Sequence, residues 1–105
     1  MGQRTKNFEE RILNDLKNPE IAASYLDAAL DDDEYDPEAF LLALRRVAQA
    51  HGVAFVAKSA ELGRESLYKA LSGEGNPSIR TLSKVLEAVG MRLSVRPKEQ
   101  GQAAA

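Results

Sequence analysis

Arg64, Glu65, Ser66, Tyr68 and Lys69 occur in one short run, RESLYKAL, interleaved with Leu67, Ala70 and Leu71. On a helix those three apolar residues share a face, which leaves two cations, a carboxylate and two hydroxyls pointing away from it. Arginine or lysine donates to guanine O6 and N7, and glutamate accepts from cytosine N4, so the chemistry on offer is hydrogen bonding to base edges. Catalysis is not the reading. Ser66 and Tyr68 have no base placed to activate them, and no phosphate-cradling loop or metal constellation accompanies them, so the chain is expected not to be an enzyme.

The stretch that must position this run is Val53 to Thr81, VAFVAKSAELGRESLYKALSGEGNPSIRT. Two short apolar-patterned segments flank a turn there, the layout of a helix-turn-helix whose second helix enters the major groove. Val53 to Ala60 forms the first helix, with Val53, Val56, Ala57 and Ala60 inward and Lys58 outward. Glu61, Leu62 and Gly63 make the turn. Leu62 plugs the core, and Gly63 is read as tolerating unusual backbone angles before Arg64 opens the second helix. Ser72 to Pro77, SGEGNP, is a loop, since two glycines and a proline stop the helix.

The supporting elements follow from caps and apolar spacing. Phe8, Ile12, Leu13 and Leu16 recur at helical intervals after a polar start, which predicts a short amphipathic helix or arm over residues 1–17. Asn18-Pro19-Glu20 and Asp36-Pro37-Glu38 are two copies of one start signal: a capping side chain, a proline at the first helical position and an acid at the positive end of the dipole. The first opens a helix with Ile21, Ala22, Tyr25, Leu26, Ala29 and Leu30 on one face, ending near Asp31. The second opens a long helix with Phe40, Leu41, Leu44, Val47 and Ala48 inward, ending at Gly52. Ser78 caps a last helix bearing Ile79, Leu82, Val85, Leu86 and Val89, terminated by Gly90. Met91 to Arg96, MRLSVR, switches to a period of two and reads as a single strand, whose unpaired edge needs a second chain or a helix to cover it. The fold class expected is therefore all-α: a small bundle with an N-terminal helical extension, a domain over residues 18–96 with one short C-terminal β-strand, and a disordered tail over 97–105.

Composition narrows the alternatives. The chain has 105 residues, 44% of them apolar, enough for one small core and no second globular unit. It has no cysteine, which excludes disulfides and thiolate metal sites, and its single histidine, His51, sits where a cation complements a helix C-terminus. The acidic run Asp31 to Asp36, DDDEYD, lacks the glycine and spaced ligands of a calcium loop and reads as a solvated linker, with an acidic patch meeting a basic partner as the alternative. No cofactor is expected. The polar start and interrupted apolar runs give neither a secretory signal nor a membrane span, so the expected location is the cytoplasm. The net charge of −2 hides a division: residues 1–50 hold 6 basic and 11 acidic residues, a balance of −5, while residues 51–105 hold 8 and 5, a balance of +3. Phosphates respond to the local basic face rather than to the total.

The stretch VAKSAELGRESLYKALSGEGNPSIRTLSKVLEAVGMRLSV resembles helix-turn-helix proteins of the phage-repressor, or Cro/C1, type. Together with IAASYLDAAL and DPEAFLLALRRVAQAHG upstream, it resembles more narrowly the small antidote proteins of type II toxin–antitoxin modules. The likeness covers most of Asn18 to Val95. It implies a homodimeric repressor that binds double-stranded DNA at a palindromic operator, usually its own promoter, with a small ribonuclease-like toxin as candidate partner. Carried over by position, it implies base contacts from Arg64, Glu65 and Lys69, with Ser66 and Tyr68 nearby. Lys58, Ser72 and Asn76 are the candidates for phosphate contacts. Dimerisation is expected through Met91, Leu93 and Val95, with an interface through the first two helices, using Phe8, Ile12 or Tyr25, as the alternative; a surface that masks a toxin, using Tyr35 and the acids around it, is the alternative role. One departure stands out: the family usually has glycine where Glu61 stands and a small polar residue where Gly63 stands. A left-handed Glu61 would store strain on the order of 1 kcal/mol.

Overall fold

The computed structural model describes residues 2–31 and 36–97, with side-chain surroundings from residue 7 onward. Six α-helices run through these residues: α1 Gly2–Asp15, α2 Pro19–Leu30, α3 Pro37–His51, α4 Val53–Ser59, α5 Arg64–Ala70 and α6 Ile79–Ala88. The start signals act as their chemistry predicts. Asn18 Oδ1 accepts from the Glu20 amide at 2.9 Å, Asp36 Oδ1 from the Glu38 amide at 3.0 Å, and Ser78 Oγ from the Thr81 amide at 3.1 Å. Each cap satisfies an amide that the helix itself leaves without a partner.

The core is built around α3, whose inward residues Phe40, Leu41, Ala43, Leu44, Val47 and Ala48 are all buried. On one side α3 packs against α1 and α2, with Leu16 from the turn between them and Ala22 and Leu26 from α2; on the other it meets α4, which in turn carries α5 and α6. Gly52 joins α3 to α4 at φ 103°, ψ 112°, a combination that a side chain resists, and the two helices meet at 105°. Among the described residues no single helix is long and apolar enough to cross a membrane. Only the bent pair α3 and α4 together approaches that composition.

The α4–α5 turn is closed by two reversed backbone bonds. Leu62 N–H donates to Ala57 O at 2.8 Å and Glu61 N–H to Lys58 O at 3.1 Å, the paired pattern of a Schellman motif, which needs its middle residue in the left-handed region. Glu61 is that residue, at φ 62°, and it is the one non-glycine with positive φ among the described residues. Gly63 instead has an ordinary φ of −72° and ψ of 160°, which corrects its expected role: no unusual backbone requires glycine there. A matching motif ends α6, where Gly90 takes φ 84° and Met91 N–H donates to Leu86 O at 2.8 Å. Glu61 also reaches across to α6: Lys84 Nζ donates to Glu61 Oε1 at 2.6 Å. That hydrogen bond, and then the charge behind it, holds the Glu61 carboxyl below its ordinary pKa.

Two further expectations are corrected. No strand forms over Met91 to Arg96 among the described residues, because a strand needs a hydrogen-bonded neighbour and the single chain offers none. The Schellman motif turns Met91 back against the core instead, and the segment beyond it is fastened to α2 by Arg96, whose Nη2 lies 3.1 Å from both carboxylate oxygens of Asp27. Phe8 and Ile79, counted in the apolar sets of α1 and α6, are 62% and 74% exposed, and Ile21 and Leu30 of α2 also face outward. The apolar stripe of each of these helices is wider than the neighbour it packs on. Tyr35 and the acids between Asp31 and Asp36, like the tail over 98–105, lie outside the described residues.

Two predictions test the turn. Glu61→Gly and Glu61→Ala both remove the Lys84 contact, yet only Ala keeps a Cβ at positive φ, so urea denaturation should find the Gly variant more stable by about 1 kcal/mol. Acidification should erase part of the stabilisation that separates the unchanged chain from Glu61→Gln. Because the folded pKa lies below the unfolded one, that contribution is present above the unfolded value and is lost as pH falls through the folded value. Urea midpoints measured from pH 7 downward should therefore converge. A constant gap at every pH would show that the charge of Glu61 contributes nothing.

Candidate nucleic-acid interface

Helix α5 is short, and its position is set by two leucines one turn apart. Leu67 and Leu71 are each 1% exposed, so the helix cannot rotate without uncovering one of them. Glu65 and Lys69 consequently stand in solvent on the opposite side, with Tyr68, which is 37% exposed, and Ser66 on the flanks, while Arg64 is exposed in the first turn of the helix. Among the described residues, the ion pairs are Lys84–Glu61 and Arg96–Asp27, so neither Arg64 nor Lys69 is occupied by a carboxylate there. The first turn of α5 has no side-chain cap, because Gly63 stands at the capping position. Its Cβ direction is open, with no atom within 4 Å.

The three residues expected to meet phosphates are distributed around this helix. Lys58 is exposed in the last turn of α4. Ser72 lies just past α5, and its hydroxyl donates to Lys69 O at 2.9 Å, so its proton is already committed to the helix end. Asn76 is exposed in the following loop. That loop is folded tightly onto α5: Gly75 N–H donates to Ser72 O at 2.9 Å, and a Cβ on Gly75 would run into the Ala70 carbonyl. Here glycine is required by close approach rather than by φ.

The residues assigned to dimerisation have separate fates. Met91 packs partly buried against its own chain's core, whereas Leu93 is 45% and Val95 97% exposed. Sequence reasoning also missed a neighbour of the exposed side of α5. Arg45, half-buried on α3, places its guanidinium 4.9 Å from the centre of the Tyr68 ring. No local pattern could reveal that contact, because it joins residues 23 apart in the chain on helices that only the tertiary fold brings together.

Other chemistry has little support in the geometry. No group of three or more His, Cys, Asp or Glu side chains among the described residues is arranged to hold a metal. His51 directs Nδ1 at Val47 O at 3.3 Å, inside the last turn of α3, as its place at a helix C-terminus suggested. An open groove of about 400 Å³ lies between α1 and the end of α3, lined by Glu10, Leu13, Lys17, Gln49 and His51 among others, and includes none of the residues of α5.

Comparison with known proteins agrees with the upstream helices as well as with α4 to α6. The pattern of a family described as probable addiction module antidote proteins matches residues 4–97. An uncharacterised protein of Haemophilus influenzae (strain ATCC 51907 / DSM 11121 / KW20 / Rd) is 35% identical over 96 residues, covering 91% of this chain and 95% of its own. No solved structure matches. Since the family match spans all six helices and continues to the residue after the Arg96 tether, the chain belongs to the addiction module antidote family, the antitoxin side of toxin–antitoxin modules.

Proposed function

We propose that the chain is a sequence-specific DNA-binding regulator, the antitoxin and autorepressor of a toxin–antitoxin pair, and that α4, the Glu61 turn and α5 form a helix-turn-helix of the Cro/C1 type. The observation that carries the reading is the anchoring of α5. With Leu67 and Leu71 buried, Glu65 and Lys69 are exposed on the outer side of a fixed helix and Arg64 is exposed in its first turn, an arrangement suited to base-edge recognition. Ser66 and Tyr68 flank these contacts, while Lys58 and Asn76 serve as phosphate contacts on either side. Ser72 belongs to the same set through its position, although its hydroxyl proton is used within the chain.

The protein acts as a homodimer in the cytoplasm, needs no cofactor and catalyses no reaction. Two copies of α5 about 34 Å apart would match successive major grooves on one face of a palindrome. Leu93 and Val95 support the dimer by their exposure, since an apolar pair on an unpaired backbone gains from a second copy. Masking of a toxin is a second activity of the same chain. It is favoured by the family and by the −5 balance of residues 1–50, which suits a basic partner surface.

Two outcomes follow. A duplex selected by the unchanged protein from a random-sequence pool should be bound more weakly by Arg64→Ala and by Lys69→Ala, each by roughly 1–3 kcal/mol, with unchanged thermal stability. Equal affinity in both variants would remove α5 from the interface. Ending the chain at Arg92 keeps Met91 on the core but removes Leu93 and Val95; sedimentation should then find monomers, with much weaker binding of the same duplex. A truncated chain that stays dimeric would move the dimer interface elsewhere.

A further inference from the structure

The Arg45–Tyr68 contact assigns work to a residue that lies outside α5. Arg45 belongs to α3, in the acidic half of the chain, and stands at the edge of that helix's buried stripe, beside Leu41, Leu44 and Ala48. A cation in such a stripe is expected to extend its apolar stem along the core and place its charge at the rim. The rim it reaches is the reading face, where its guanidinium lies 4.9 Å from the Tyr68 ring centre. A planar guanidinium that stacks on a ring uses its face, while its N–H donors lie around the edge and stay free. Among the described residues no carboxylate lies within ion-pair distance of Arg45. The group is therefore held at an aromatic surface with no carboxylate on it among the described residues, and Tyr68, the ring it meets, lies one helical turn from Arg64 along α5.

From this geometry we infer that Arg45 is a DNA phosphate contact, and that Tyr68 is the platform that holds its guanidinium at the interface rather than a reader of base edges. The inference rests on the reading of α5 as the DNA-contacting helix. It fits the partial cover of the Tyr68 ring, which is 37% exposed. It also supplies a third cation beside Arg64 and Lys69, which offsets the repulsion between Glu65 and the phosphate backbone. A stacked arginine loses less freedom on forming a hydrogen bond than an extended one, because its plane is already fixed.

The test uses the full chain and the duplex selected by the unchanged protein, with affinity measured across a range of salt concentrations. Arg45→Met keeps the stem and removes the charge. It should weaken binding about tenfold and flatten the dependence of log K on log salt by about 1 per protomer. Tyr68→Leu should flatten the slope similarly, Tyr68→Phe should retain it because the ring face remains, and Arg45→Met with Tyr68→Leu should flatten it no further than Arg45→Met alone. An Arg45→Met chain that binds as the unchanged one does, or that binds more weakly with an unaltered slope, overturns the inference and makes the pair structural. Equal flattening by Tyr68→Phe and Tyr68→Leu also overturns it, and that comparison stands even if Arg45→Met does not fold by circular dichroism. Selection of no duplex by the unchanged chain overturns the DNA-binding reading itself, a failure distinct from the others.

Discussion

Everything in this chain depends on burying the apolar stripe of α3. Leu44 and Val47 have no exposed surface, and that is possible only with α1 and α2 on one side and α4 on the other. At roughly 25 cal/mol per Å² of apolar area removed from water, six inward residues on a single helix make it the largest local contributor to the core. The other helices are arranged by where they can reach that stripe. Helix α5 does not touch it extensively and depends on α4, so its position is inherited at second hand through Val56, Ala57 and Leu67.

That inheritance makes the α4–α5 turn the point where geometry is decided. A glycine at position 61 would have left the turn relaxed and α6 unconnected to it. Glu61 accepts a left-handed backbone and in exchange gives α6 a charged contact with the turn through Lys84. The pair is well exposed, at 39% and 73%, so it contributes little to stability on its own. What it does is place a directional bond beside the residue that starts α5, while the backbone bonds of Glu61 and Leu62 set the turn itself.

Much of this was legible in the sequence. The caps at Asn18, Asp36 and Ser78, the breaks at Gly52 and Gly90 and the inward faces of α3, α4 and α5 all follow from local rules, and the displaced glycine already marked Glu61 as the strained position. The expected strand at Met91 to Arg96 was not legible as it occurs here, since alternation describes what a segment could pair with and not whether a neighbour is present. Phe8 and Ile79 fit helical spacing, yet spacing cannot report how wide the packed neighbour is. For the candidate site, the residues that α5 presents were readable from the two leucines beneath them. Arg45 was not, because its relation to Tyr68 exists only after α3 has been bent away from α4.

The bend at Gly52 also has a kinetic meaning. By turning the chain through 105° within one residue, it lets α4 fold back on the helix made immediately before it. Three of the five most extensively packed helix pairs among the described residues are sequence neighbours: α2 with α3, α3 with α4, α4 with α5. Contacts of that kind close short loops, and domains built from them fold in microseconds to milliseconds. A glycine that looks like a break in a helix is thus what keeps the search short: α5 finds its place soon after the chain that carries it has been made.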